Sequence, residues 1–150
     1  MSSSEHSKLE PQAMVERFHR VFDILVQRTP NPVDEHTRIL RERLIHEELE
    51  ELKEAMGTRD LAAIAKELAD LLYVVYGTAV SYGIDMGPVF LEVHRSNMSK
   101  VGGYKREDGK WVKPPTYSPA VIEPILQKQR ASNEPAAESS HCCKEVEPRA

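Results

Sequence analysis

Residues 68–80 are nearly all apolar, and they fall in a stretch with helix-end signals on both sides. Asp60 can cap the N-terminus and Gly83 can close the far end, so the spacing predicts one helix over 60–82. A helix that is apolar around so much of its circumference belongs inside a bundle, not on a surface. That restricts the chain to packed-helix architectures, and 150 residues suffice for one domain with a real core. It also predicts a homodimer. One neighbouring helix is too little to cover such a surface, whereas a second copy can.

The remaining elements follow from helical spacing and punctuation. Met14, Val15, Phe18, Val21, Phe22, Leu25 and Val26 predict a first amphipathic helix over 12–28, ended by Thr29-Pro30-Asn31-Pro32. A second helix should start near Val33 or Asp34, carry Leu40, Leu44, Ile45, Leu49, Leu52 and Met56 inward, and stop at Gly57. A fourth is expected over 86–100, with Pro88 near its first turn. Glu107-Asp108-Gly109-Lys110 between Tyr104 and Trp111-Val112 is a tight-turn signal and predicts a short hairpin. Pro114-Pro115 forces an extended link. Ser118 as cap and Pro119 at the first helical position predict a fifth helix to about residue 129. Residues 1–11 read as a loose polar arm, 12–130 as the domain and 131–150 as a disordered tail. The expected fold is therefore all-α, a four- to five-helix bundle with a short non-helical or hairpin insert.

Charge excludes several classes of partner. Net charge is −4 and no basic stripe is present, so no nucleic acid is expected as partner. No apolar run has membrane-spanning length and no charged-then-apolar leader is evident, which predicts a cytoplasmic protein with no membrane contact. The two cysteines, Cys142 and Cys143, are adjacent in a polar stretch and cannot staple a fold. With His141 they offer a soft-metal tripeptide that lacks the second cluster such sites need.

Chemistry is concentrated in two acidic clusters, Glu47-Glu48-x-x-Glu51 and Glu67-x-x-Asp70. At about 100° per residue Glu48 falls within the apolar stripe of the second helix, Glu51 lies beside it, and Glu47 falls just outside. Glu67 and Asp70 each lie one turn before an apolar residue of the third helix. The short link 57–60 packs the two helices antiparallel, and the two clusters stand at similar distances from it, so they can face each other across the seam. Glutamates on helices commonly form solvated salt-bridge faces, and either pair alone supports only that reading. Together they resist it: between residues 47 and 54 there are five Glu and one Lys, Lys53. Like charges at ~4 Å cost about 4 kcal/mol at an effective dielectric near 20. A hard cation would relieve that repulsion, and carboxylates without Cys or His suit Mg²⁺, or Mn²⁺, over Zn²⁺.

This arrangement resembles the all-α nucleotide pyrophosphohydrolases, the superfamily of MazG proteins, dimeric dUTPases and phosphoribosyl-ATP pyrophosphohydrolase. Their pattern is EExxE, a gap, then ExxD. Here it reads Glu47-Glu48-Leu49-Glu50-Glu51, then Glu67-Leu68-Ala69-Asp70, followed by the usual apolar run from Leu71 to Val75. Residues 92–100 and 109–115 look like the MazG-like branch related to phosphoribosyl-ATP pyrophosphohydrolase. The resemblance implies that Glu48, Glu51, Glu67 and Asp70 are metal ligands and that Glu47 orients or deprotonates the attacking water. It implies hydrolysis of a nucleoside triphosphate between the α and β phosphates, with dUTP or another non-standard deoxynucleotide as first expectation and phosphoribosyl-ATP as the alternative. A single motif set separates the chain from the tandem MazG form.

The cationic complement is expected on the fourth helix and the insert. Asn97 and Lys100 share a face, where Lys100 can touch phosphate or simply cap the helix. Lys110 and Lys113 flank Trp111, which can stack on a base or plug the core. The rival from another class is a non-catalytic helical interaction module with a structural cation. Glu47 discriminates, since only catalysis needs it.

Overall fold

The computed structural model describes residues 11–133. Its elements run α1 (Pro11–Val21), α2 (Glu35–Thr58), α3 (Leu61–Tyr82), α4 (Met86–Met98), β1 (Tyr104–Lys105), β2 (Trp111–Val112) and α5 (Glu123–Asn133). The expected all-α fold with a small hairpin insert is the one found. No helix among the described residues is long and apolar enough to cross a membrane. The His141-Cys142-Cys143 tripeptide, residues 1–10 of the expected arm and residues 134–150 of the expected tail lie outside the described residues. Pro11 already belongs to α1, and α5 runs on past 130.

The two central helices form as their caps dictate. Asp34 accepts the Thr37 amide at 2.9 Å, and Asp60 accepts those of Ala62 and Ala63 at 2.9 and 3.3 Å. Gly83 closes α3 at φ 69°, where an added Cβ would lie 2.2 Å from the Thr29 carbonyl oxygen, so only glycine fits. Gly57 is not the stop expected for α2. The left-handed residue is Arg59, φ 62°, because the chain must turn directly into the Asp60 cap. Gly57 is left inside the last turn.

The first helix ends seven residues earlier than its periodicity suggests, at Val21 instead of 28. Asp23 takes φ 54°, and the Ile24 amide returns to the His19 carbonyl at 2.8 Å, a Schellman-type stop. The following segment runs extended beside the C-terminus of α3. There the Gln27 amide donates to Val80 O (3.2 Å), the Gln27 side chain to Ser81 O (2.9 Å), and the Asn31 amide to Tyr82 O (3.0 Å). Ser81 O and Tyr82 O are carbonyls that a helix end leaves without intrahelical partners, and Val80 O takes the Gln27 amide beside that of Gly83. Satisfying them outweighs continuing an amphipathic helix.

The fifth helix also departs from expectation, starting at Glu123 and not at Pro119. Ser118 does not cap it. Arg95 of α4 donates to Ser118 Oγ (3.1 Å) and Pro119 O (3.0 Å), the Ser118 amide to Ser99 Oγ (2.9 Å), and the Val121 amide to Glu92 (2.9 Å). Those ties hold the stretch extended along α4. The hairpin forms as predicted, with Tyr104 opposite Val112 and Lys105 opposite Trp111.

Packing centres on α3, which α2 and α1 both flank; α4 makes no comparable packing against α2 or α3. The buried apolar residues are Val15, Leu52, Ala55, Ala79 and Val80. Leu68 and Leu72, at the start of the apolar run, remain 47% and 56% exposed, so a single chain does not supply the burial that the run calls for.

Candidate active site

The short turn at 59–60 folds α2 and α3 against each other and brings the two acidic clusters to one level of the seam. Glu48, Glu67 and Asp70, all half-buried, each place a carboxylate oxygen within 4.8 Å of the others. Partial burial pushes the Glu48 carboxyl above its ordinary range, and the charges of Glu51, Asp70 and Glu67 add to the rise. Glu51 therefore acts on this centre electrostatically, although it is exposed and outside the tight group. Glu47 is exposed on the turn beside it.

One participant was missed in the sequence. Lys66 Nζ lies 2.9 Å from Asp70 Oδ2 and 3.1 Å from Glu67 Oε1. It is an internal counter-ion that the charges of α2 alone do not reveal, because it sits on α3, four residues before Asp70. Lys53, the lysine of α2, is spent on Glu50 at 2.9 Å. Lys66 is 63% exposed and bonded to one side of the cluster only. Glu48 remains crowded by like charges. A triad of oxygen donors with no sulfur or imidazole fits a hard divalent cation.

The expected substrate residues gather elsewhere. Lys100 Nζ donates to Asn97 Oδ1 at 2.7 Å, and the Trp111 indole N–H donates to the Lys100 carbonyl at 2.7 Å. Trp111 is thus neither a core plug nor free. It struts the hairpin against the end of α4, 44% exposed. Lys113 Nζ stands 4.1 Å from the centroid of the Tyr117 ring. Tyr117, another residue missed in the sequence, has its phenol drawn below its usual range by Ser96, Lys113 and Lys100. Lys110 is exposed at the hairpin turn. Asn97, Lys100, Trp111 and Lys113 therefore form one cationic module with Tyr117 around the end of α4, a helix without extensive packing against α2 or α3.

Comparison with known proteins agrees with the acidic geometry. No curated protein matches the chain. The sequence profile described as phosphoribosyl-ATP pyrophosphohydrolase matches residues 15–97, which take in α2, α3 and both acidic clusters. With that span covering more than half of its length, the chain belongs to the phosphoribosyl-ATP pyrophosphohydrolase family and is a hydrolase acting on acid anhydrides.

Proposed function

We propose that this enzyme is a Mg²⁺-dependent nucleoside triphosphate pyrophosphohydrolase that releases a nucleoside monophosphate and pyrophosphate. The observation that carries this reading is the convergence of Glu48, Glu67 and Asp70 within 4.8 Å across the α2–α3 seam. Glu48, Glu51, Glu67 and Asp70 would hold the ion. When bound, it supplies charge to the phosphoryl oxygens and lowers the pKa of a bound water. Glu47, outside the tight group, orients the attacking water and takes its proton as oxygen bonds to the α-phosphorus. The bridging bond to the β-phosphate breaks and pyrophosphate leaves. A structural cation would need no such extra carboxylate, and membership of a family of hydrolases counts against a purely structural module.

The working form in this reading is a homodimer. Leu49, Met56, Leu61, Leu68 and Leu72 on α2 and α3 are exposed, as are Phe90, Leu91 and Met98 on α4. A second copy is the simplest cover for these surfaces. In this reading it would also bring the Lys100–Lys113 module of one copy to the acids of the other, supplying phosphate contacts from across the interface. A cytoplasmic setting suits an enzyme acting on free nucleotides.

Two substrates remain in view. A non-standard deoxynucleotide such as dUTP fits a house-cleaning role, and phosphoribosyl-ATP accords with the family's own description at least as well. The deciding measurement is a panel of nucleoside triphosphates, dUTP and phosphoribosyl-ATP with Mg²⁺, scoring pyrophosphate against orthophosphate. Release of orthophosphate alone, or no release from any member, would refute the reaction assigned here.

A further inference from the structure

Arg41 is a buried charge with no counter-charge among the described residues. It is 6% exposed, its Nε is enclosed without a hydrogen-bond partner, and desolvation alone draws its pKa down. A buried cation ordinarily pairs with an anion or with strong acceptors. Its position is telling. Arg41 lies seven residues before Glu48 on α2, and Gly77 lies seven residues after Asp70 on α3. Each pair shares nearly the same helix face, roughly 10 Å apart along the axis. The guanidinium therefore occupies the seam that holds the carboxylates, two turns away.

What surrounds it is suited to recognition. A Cβ built on Gly77 would stand 2.9 Å from Arg41 Nη1 and 3.0 Å from His19 Nε2, so both side chains converge on bare backbone. Glycine in mid-helix is unfavourable for the helix, and here its missing side chain makes the room. His19 is 2% exposed and bonds through Nδ1 to the Leu25 carbonyl at 3.0 Å. A carbonyl only accepts, so Nδ1 carries the proton and Nε2 offers a lone pair. Tyr73, one turn from both Asp70 and Gly77, meets Phe18 edge to face at 5.5 Å, and both rings remain partly exposed. Tyr73 and Phe18 thus place aromatic surface between the acids and the donor–acceptor pair.

We propose that Arg41 and His19, meeting over Gly77, form the recognition end of the nucleotide site, with Arg41 donating to carbonyl oxygens on the edge of the base. This rests on the acids being the reaction centre. The base is favoured over a distal phosphate because the surroundings are aromatic and Arg41 is the one cation there among the described residues.

Arg41→Met and Gly77→Ala test it in the full-length protein. Arg41→Met removes the donor and an uncompensated buried charge, so it should raise Tm while weakening nucleotide binding. Gly77→Ala should displace the guanidinium, and its Tm is read beside its KM because the added methyl also crowds the buried His19 ring. For the preferred nucleotide both should raise KM at least tenfold, leave kcat within about threefold, and leave inhibition by inorganic tripolyphosphate unchanged. Equal weakening towards tripolyphosphate would move the contact to the phosphate chain and overturn the base assignment. An unchanged nucleotide KM in both variants, with or without a drop in Tm, would make Arg41 structural and overturn it too. Calorimetric titration of wild type and Arg41→Met with nucleotide gives the same comparison without turnover, so an inactive wild type would refute the hydrolase assignment without deciding this one.

Discussion

The α2–α3 seam and the outer module of α4, hairpin and α5 are built in opposite ways. In the seam, helix periodicity and two short-range caps set the carboxylates of Glu48, Glu67 and Asp70 beside one another. In the outer module the ties between elements span long stretches of chain: Trp111 bonds to Lys100, Arg95 to Pro119, the Gln129 side chain to the Asp85 backbone, and Arg130 to Pro30. One region concentrates negative charge by covalent geometry. The other assembles positive charge by long-range hydrogen bonds. A reaction on a triphosphate needs both, and the contrast suggests which perturbations destroy chemistry and which only weaken binding.

The largest effect is expected in the seam. Glu48→Ala or Asp70→Ala should reduce Mg²⁺-dependent pyrophosphate release to background, because each removes one of three converging ligands. Wild-type metal dependence in both variants would remove the site. Glu47→Gln should be nearly as severe for turnover, roughly 10²- to 10⁴-fold in kcat, the usual worth of a general base. It should keep Mg²⁺ affinity within several-fold, measured by titration calorimetry. If Glu47→Gln hydrolyses nucleotides at the normal rate, the proton acceptor lies elsewhere.

Combining the regions sharpens the comparison. A Lys100→Ala/Lys113→Ala chain should lose phosphate contacts worth about 1.5–3 kcal/mol each, and so raise KM at least tenfold. Random pairing with a Glu48→Ala chain then yields some sites with intact acids and intact lysines. If the outer module serves the other copy, activity at low substrate should recover to roughly a quarter of wild type, the share of intact sites in a random mixture of closed dimers. No recovery under conditions where subunits exchange would place acids and lysines in the same chain's site.

Legibility divides along the same line. Asp34, Asp60 and Gly83 mark helix ends through contacts with near neighbours, so α2 and α3 were readable almost to the residue, and the acidic stripe with them. The end of α1 was not, because the Gln27 and Asn31 amides find partners at Val80 and Tyr82, some fifty residues on. The false start of α5 at Ser118 has the same origin in Arg95 and Glu92. Lys66 is not legible as a counter-ion from the charges of α2, because it stands across the turn on α3. Arg41 reads as one more helix-surface cation, and only the closeness of His19 and Gly77 shows it to be buried.

Lys66 allows a milder test of the seam. It occupies one side of the carboxylate cluster and competes with any arriving cation. Lys66→Gln should therefore tighten Mg²⁺ binding only about two- to fivefold, because a solvent-screened ion pair is weak. Weaker Mg²⁺ binding would mean that the lysine organises the acids and does not compete for them.

The smallest effect is a pH response of opposite sign in the two regions. Glu92, bonded to Arg95 and to the Val121 amide, has its carboxyl held down to about 2. A carboxyl depressed in the folded state stabilises it above the ordinary value of 4.5, and that contribution fades as pH falls towards 2. Acidification should therefore free the Val121 amide, whose bond to Glu92 ties the segment before α5 onto α4. Glu48 is raised instead, so its contribution is lost as pH rises above its ordinary 4.5. Amide exchange across pH 3–6 separates the two. Protection at Val121 should drop on the acid side in wild type and be low and flat in Glu92→Gln, while the seam amides keep theirs on the acid side and lose it only as pH rises above 4.5. Equal loss in both regions would show that they unfold as one unit, and the division between a locally encoded seam and a long-range outer module would not survive it.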